Sequence, residues 1–467
     1  MRRFERRGWR ACAAAVLVTW AAGCSAGHPR RALPANAVQP PGASFEGEPS
    51  VGPAQTVRVA HDILVDSARR AVQAPAASAI HVGGRLAERV AVRLVELAPG
   101  AATGIEVVDR TGPVGGPSRP ARLTLLPDSR SALDGLLATI AGAATRVDLM
   151  MYGWEDDPTG RLVAEALAAR ARAGVRVRVL VDKAAHVIHN PAAARREPTF
   201  LDALSRTPNV TLVFAPDPFV RFDHRKLAVV DGRVAWSGSM ILTDVALRRW
   251  RNYSFLAEGP VVADYADAFA RRWRDVGQPV EPPMPAPPLP GPPGACARLV
   301  QTDFGGERSL KESIYRAVDH ATGHIYLSNP YFSDEILVAK LVAAAKRGVD
   351  VRAVLTLRGN VGRLNRFSAL NANRLLRGGV RVYLYPAMTH VKAMSVDGRW
   401  AYLGTGNFDE LSLRNNREAG LAIEGPGAVR RIDETLFLPD MAASEELHDL
   451  LPPPRGRLAL EAFSLWY

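Results

Sequence analysis

Two stretches, HRKLAVVDG at 224–232 and HVKAMSVDG at 390–398, carry the residue types best suited to chemistry. Each runs His, any residue, Lys, then four residues to Asp-Gly. In an extended strand, residues two apart share a face, so His224 projects with Lys226 and His390 with Lys392. Two imidazoles and two ammonium groups that converge suit a phosphodiester. One imidazole attacks phosphorus and forms a phosphohistidine. The other protonates the leaving alcohol, then activates the acceptor. The lysines neutralise the oxygens on which charge builds up. With that positive charge supplied, no metal and no cofactor is expected. Asp231 and Asp397 complete the motifs and count with the catalytic set, although an Asp-Gly pair reads first as a tight turn. Small-residue turns follow, SGS at 237–239 and GTGN at 404–407. They allow close backbone approach to a ligand and make Ser239 and Thr405 candidate phosphate contacts.

The flanking elements repeat as well. SALDGLLATIAGAATRVDLMMYGW (131–154) matches SLKESIYRAVDHATGHIYLSNPYF (309–332), each an amphipathic helix followed by an apolar strand. LVAEALAARARAGVRVRVLVD (162–182) matches LVAAAKRGVDVRAVL (341–355), a helix, a Gly stop and a β-branched strand. Alternating strands and helices predict an α/β fold, a duplicated unit with two mixed sheets flanked by helices. The two motifs should meet at the interface between the halves.

The chain has 467 residues, 47% apolar and 23% charged, which is a globular composition. Its net charge of +12 suits an anionic partner, lipid surface or nucleic acid, without choosing between them. Residues 1–23 read as a signal peptide: a basic start, MRRFERRGWR, then a short apolar run, ACAAAVLVTW. The AAGC that follows resembles a bacterial lipoprotein signal, with lipidation of Cys24 as membrane anchor. Residues 24–56 are a Pro/Ala/Gly-rich tether, and 57–120 have no assigned role. The expected halves are 121–278 and 297–467, with a Pro-rich linker at 279–296. Cys296 has no disulfide partner in the body of the chain and reads as structural. His186 and His189, in DKAAHVIHN, read as a surface or substrate loop rather than a metal site.

With these motifs, the chain resembles the phospholipase D superfamily, closest to its bacterial cardiolipin synthase-like branch. YGWEDDPTGRLVAEAL, NPYFSDEILVAKLVAAAKRGVDVRAVL and GTGNFDELSLRNNRE carry that likeness. The resemblance implies phosphatidyl transfer on membrane phospholipid, with phosphatidylglycerol as the expected lipid, and the signal places the chain on the periplasmic side of a bacterial envelope. It makes His224 the nucleophile and His390 the general acid/base. Lys226, Lys392 and Asn407 would bind phosphate, and Glu418 would orient a catalytic histidine. Three alternatives stay open: a hydrolase, a metal-independent nuclease, and a lipoprotein that binds phospholipid without turnover. The lipid anchor makes nucleic acid the less expected partner.

The halves are not equal. Counted from its own histidine, Ile241 stands where the second half has Asn407, and Asn252 where it has Glu418. One phosphate contact is therefore missing. The two histidines should also differ in basicity, since a neighbouring carboxylate favours imidazolium and an amide does not.

Overall fold

The computed structural model describes residues 117–452, apart from 218–220, 280, 283, 290–292 and 304–305. The signal, Cys24, the tether and nearly all of 57–120 lie outside the described residues. Apart from 360–363, the described residues belong to one compact unit. The strands of the first half are β1 (Arg119–Leu126), β2 (Arg146–Met151), β3 (Arg176–Asp182), β4 (Val210–Ala215), β5 (Lys226–Val230), β6 (Val234–Gly238), β7 (Trp250–Arg251) and β8 (Ser254–Glu258). Those of the second are β9 (Ala295–Thr302), β10 (His324–Asn329), β11 (Asp350–Leu355), β12 (Arg381–Leu384), β13 (Met388–Thr389), β14 (Ala393–Val396), β15 (Trp400–Gly404), β16 (Glu418–Glu424) and β17 (Glu445–Leu447).

The duplication expected from the sequence is visible in the strand order. In the first half, β2, β3 and β4 are parallel, and β2 pairs antiparallel with β5, followed by β6, β8 and β1. In the second, β10, β11 and β12 are parallel, and β10 pairs antiparallel with β14, followed by β15, β16 and β9. The two sheets expected of the halves are joined edge to edge. Their first strands pair antiparallel, Arg119 with Ala297 and Ala121 with Ala295, to give one 15-stranded sheet among the described residues. Joining there removes two exposed edges that would otherwise carry unpaired backbone groups.

Helices cover the sheet because their apolar stripes match it. Ser129–Ala141 starts at Asp128, whose carboxylate accepts from Ser131 N at 2.8 Å. It buries Leu133, Leu136 and Ile140, each worth about 1.5–3 kcal/mol on transfer from water. Glu335–Lys346 is capped by Asp334 in the same manner and buries Leu337, Val338 and Leu341.

The two Asp-Gly pairs turn the chain between β5 and β6 and between β14 and β15. All four residues have positive φ, Asp231 +53° and Gly232 +66°, Asp397 +54° and Gly398 +61°. That is the handedness a two-residue hairpin needs. The Asp231 carboxylate accepts from the backbone N–H of Ala144, Thr145 and Arg146, each at 2.8 Å. Asp397 accepts from Thr322, Gly323 and His324 at 2.9, 2.7 and 2.9 Å. Burial would raise the Asp231 carboxyl, but these bonds outweigh it and hold it down at about 2. Counted with the catalytic residues by their motif, both aspartates sit in the tight turn that an Asp-Gly pair suggests. Asp231 lies at the far end of β5 from Lys226, about 16 Å away at ~3.3 Å per residue. Their role is to fix the turn that precedes β2 and β10.

The Pro-rich linker is not a free spacer. Glu281 pairs with Arg176 at 2.8 Å and Arg146 at 3.4 Å, which straps the linker to the first half. Its expected end at 296 falls inside β9, where Cys296 is exposed and unpaired.

Candidate active site

Neither histidine lies inside a strand. His224 precedes β5, and His390 and Lys392 precede β14. Each histidine segment is held by the opposite half. Asp223 bridges Arg417 in parallel, and His224 N donates to Arg417 O at 2.9 Å. In mirror fashion β13 pairs with β7, and His390 N donates to Arg251 O at 2.8 Å. The residue that follows each acceptor then reaches the imidazole. Glu418 lies 2.9 and 3.0 Å from His224 Nδ1 through its two oxygens. Asn252 Oδ1 lies 2.9 Å from His390 Nδ1. Glu418 and Asn252 thus occupy equivalent places, as the frame count suggested, but each serves the histidine of the other half.

The Asn252 amide has its orientation fixed by its nitrogen, which donates to Ala246 O at 3.0 Å and to Ser129 Oγ at 3.2 Å. Its oxygen therefore faces His390, which must donate from Nδ1. That leaves Nε2 as the reactive nitrogen. Glu418 takes further bonds from Thr405 Oγ1 at 2.6 Å and Ser412 Oγ at 2.7 Å. Thr405 and Ser239 were expected on phosphate, but both hydroxyls are spent inside the protein. Ser239 Oγ lies 3.2 Å from Asn252 Oδ1 and 3.1 Å from Tyr253 O. These two residues support the supports. Asn407, the third expected phosphate contact, is buried with its amide oxygen unpartnered among the described residues.

Lys226 and Lys392 are fully buried, and each donates to the carbonyl of its own histidine, at 2.5 and 2.8 Å. Burial pushes Lys226 down to about 7 against the pull of Glu418. Burial and then the charge of Lys226 hold Lys392 well below its ordinary value. Burial pushes His224 down to about 4, again opposed by Glu418. His390 is also pulled well below its ordinary value, by burial and then by Lys392, Lys226 and His224. Glu418 would be raised by burial, but His224, Lys226 and its hydrogen bonds hold it below the ordinary carboxylate value. An anion between the imidazoles would relieve these cations of one another.

Three features of the site were not legible in the sequence. Tyr152 packs edge-on against His224 at 4.6 Å, with Lys226 Nζ 4.9 Å from its ring centre. Trp250 takes a similar place beside His390, at 5.0 Å. Behind His224 lies a buried ion network: Asp223 binds Arg225 at 2.8 and 2.7 Å and Arg272 at 3.0 Å, and Arg272 reaches Asp217. Arg272 joins it from 49 residues beyond Asp223, so the network as a whole carries no local pattern. The expected loop with His186 and His189 is instead a short helix, Lys183–His189. In it His186 is buried and stacked on Phe214 at 4.4 Å, which fits a core role.

Residues 136–273 and 314–437 match the family described as "Cardiolipin synthase, PLD-like domain". The chain belongs to the phospholipase D superfamily, in its cardiolipin synthase-like branch. It is 29% identical over 324 residues to cardiolipin synthase A of Edwardsiella ictaluri, covering 66% of each chain. To cardiolipin synthase A of Salmonella arizonae it is 28% identical over 343 residues, covering 70% of this chain and 68% of that one. The chain thus spans about two thirds of the length of these curated relatives. Among solved structures, a phosphatidylserine synthase of Haemophilus influenzae superposes with a TM-score of 0.56 at 15% identity, covering 74% of this chain and 93% of that one. At that identity the likeness concerns the fold.

Proposed function

We propose that this protein is a phosphatidyltransferase of cardiolipin-synthase type, acting on membrane phospholipid through a phosphohistidine. The observation that carries the reading is the pair of buried imidazoles with Nδ1 engaged, each beside a buried lysine. In the first step His224 Nε2 attacks phosphorus, and the bond from phosphorus to the headgroup oxygen breaks. His390 gives its Nε2 proton to that oxygen. In the second step the acceptor hydroxyl attacks phosphorus, His390 takes its proton, and the P–N bond returns its electron pair to His224. Glu418 stabilises the positive charge that His224 acquires on attack. The anionic phosphodiester offsets the lysines around His390, so that it holds its proton when substrate is bound.

Phosphatidylglycerol is the proposed lipid, with its glycerol as acceptor. The likeness to cardiolipin synthases supports this. The AAGC sequence supports a lipid anchor at Cys24 and an envelope location. Water as acceptor would use the same residues and give a hydrolase.

The test is mass spectrometry of lipids after the purified protein meets phosphatidylglycerol vesicles, beside His224→Ala and His390→Ala. Cardiolipin formed by the wild type and lost in both variants is the expected result. Phosphatidic acid alone, lost in both variants, would make the protein a hydrolase. No turnover of any lipid would sink the reading and turn attention to nucleic acid.

A further inference from the structure

A second histidine–carboxylate pair lies one ring away from His224. Tyr152, which packs on His224, also meets His189 edge-on, with ring centres 6.0 Å apart. His189 Nδ1 lies 2.8 Å from Glu155 Oε1. The pair is reachable from solvent, the His189 side chain 15% exposed and that of Glu155 31%. Among the described residues, His189 Nε2 and the second oxygen of Glu155 have no hydrogen-bond partner.

The neighbouring acids are already spent on structure. Asp156 pairs with Arg161 at 2.6 Å. Asp157 accepts from Gly160 N at 2.8 Å and from Asp244 N at 2.6 Å. Glu155 is the one in this run whose carboxylate meets a histidine rather than an arginine or the backbone. The equivalent position of the other half carries no carboxylate. Glu155 N donates to Leu242 O at 3.1 Å, and Ser333 N donates to Phe408 O at the same distance. Glu155 and Ser333 are therefore equivalent positions, and the second half carries a short hydroxyl where the first carries a carboxylate.

We propose that Glu155 and His189 form a headgroup subsite, which takes the hydroxyl-bearing alcohol group of a phospholipid whose phosphodiester lies between His224 and His390. The inference rests on the phospholipid reading above. A carboxylate oxygen accepts from an O–H, and Nε2 can accept from a second or donate to it. Two such groups side by side suit a polyol. A phosphorylated headgroup would be repelled by Glu155. An ammonium headgroup could also pair with Glu155, but only a diol places one hydroxyl on the Glu155 carboxylate and a second on His189 Nε2.

The experiment offers vesicles containing phosphatidylglycerol and phosphatidylethanolamine in equal amounts to the wild type, Glu155→Gln, Glu155→Ser and His189→Gln. Soluble bis(p-nitrophenyl) phosphate is measured in parallel. The readout is the ratio of turnover of the two lipids within one preparation, which cancels any loss of folded protein. Glu155→Ser carries the residue that the same backbone already accepts in the other half. The expected result is a wild-type preference for phosphatidylglycerol that falls by about tenfold in the variants, the size of one lost hydrogen bond to a charged group. A preference that changes by less than threefold overturns the subsite and leaves the lipid reading standing. A wild type without that preference overturns it too. A wild type that cleaves the soluble diester but neither lipid fails at the lipid reading, and the subsite falls with it.

Discussion

The two sides of the site share a backbone plan and differ in what it carries. On one side a fully buried carboxylate, Glu418, backs His224. On the other a neutral amide, Asn252, backs His390. The amide fixes a tautomer as well as the carboxylate does, because its nitrogen is tied down by Ala246 and Ser129. It adds no charge. Orientation and charge compensation, which a carboxylate supplies together, are here separated between the halves. On the proposed mechanism, the histidine that gains positive charge on attacking phosphorus has the counter-ion. The one that must give up a proton does without, and an imidazole with no anionic partner is the stronger acid.

That contrast is open to attack at three strengths. Glu418→Gln makes both supports amides. Turnover of a soluble phosphodiester should fall by about 100-fold, while Asn252→Ala, which removes orientation alone, should cost about tenfold. Equal losses in the two variants would mean that charge is not what separates the sides.

A smaller effect is expected on the pH profile. Wild-type kcat/KM should fall on the alkaline side as His390 and then Lys226 lose their protons, with Lys226 near about 7. Asn252→Asp places a carboxylate beside His390 and favours its imidazolium. Its folded-state pKa rises, so the alkaline fall moves to higher pH, by about one unit or tenfold in rate at fixed pH on that limb. A limb that stays in place would remove His390 from the acid's role.

The smallest effect should be the same in both halves. Asp231→Ala and Asp397→Ala each leave three backbone N–H groups without their acceptor. Unfolding free energy should drop by about 1–3 kcal/mol in each variant, with KM for the soluble diester unchanged. The Asp231 carboxyl lies below its unfolded value, so its contribution is present above about pH 4 and is lost as pH falls toward about 2. Denaturant titrations at pH 7 and pH 3 would read both. A variant that unfolds normally but loses turnover would return these aspartates to the chemistry.

The sequence carried the parts of this site that obey a local rule. His-x-Lys before an apolar strand, the Asp-Gly turn and the helix-strand repeats are short-range patterns, and they locate both pairs. It also showed the mismatches Ile241/Asn407 and Asn252/Glu418, because a repeated frame makes unequal positions visible. It did not show that Glu418 serves His224, because counting along the chain ties a residue to the motif it follows, whereas the pairing runs across the halves. Ser239 and Thr405 were misread for a related reason. A hydroxyl in a small-residue turn suits a phosphate and a buried support equally well, and only the position of Asn252 and Glu418 decides. The places of Tyr152 and Trp250, and the link from Asp223 to Arg272, depend on contacts between distant segments and leave no local trace.

The exchange of supports also bears on how such a chain can change over generations. If the same unit worked as a pair of identical copies, a substitution in one motif would appear in both and strike the two roles at once. Here the copies sit in one reading frame, and each histidine depends on a codon in the other half. The two repeats can therefore differ at equivalent positions, Ile241 against Asn407 and Asn252 against Glu418. A single chain can hold two unequal supports in one site, as Asn252 and Glu418 show, where a pair of identical copies could not.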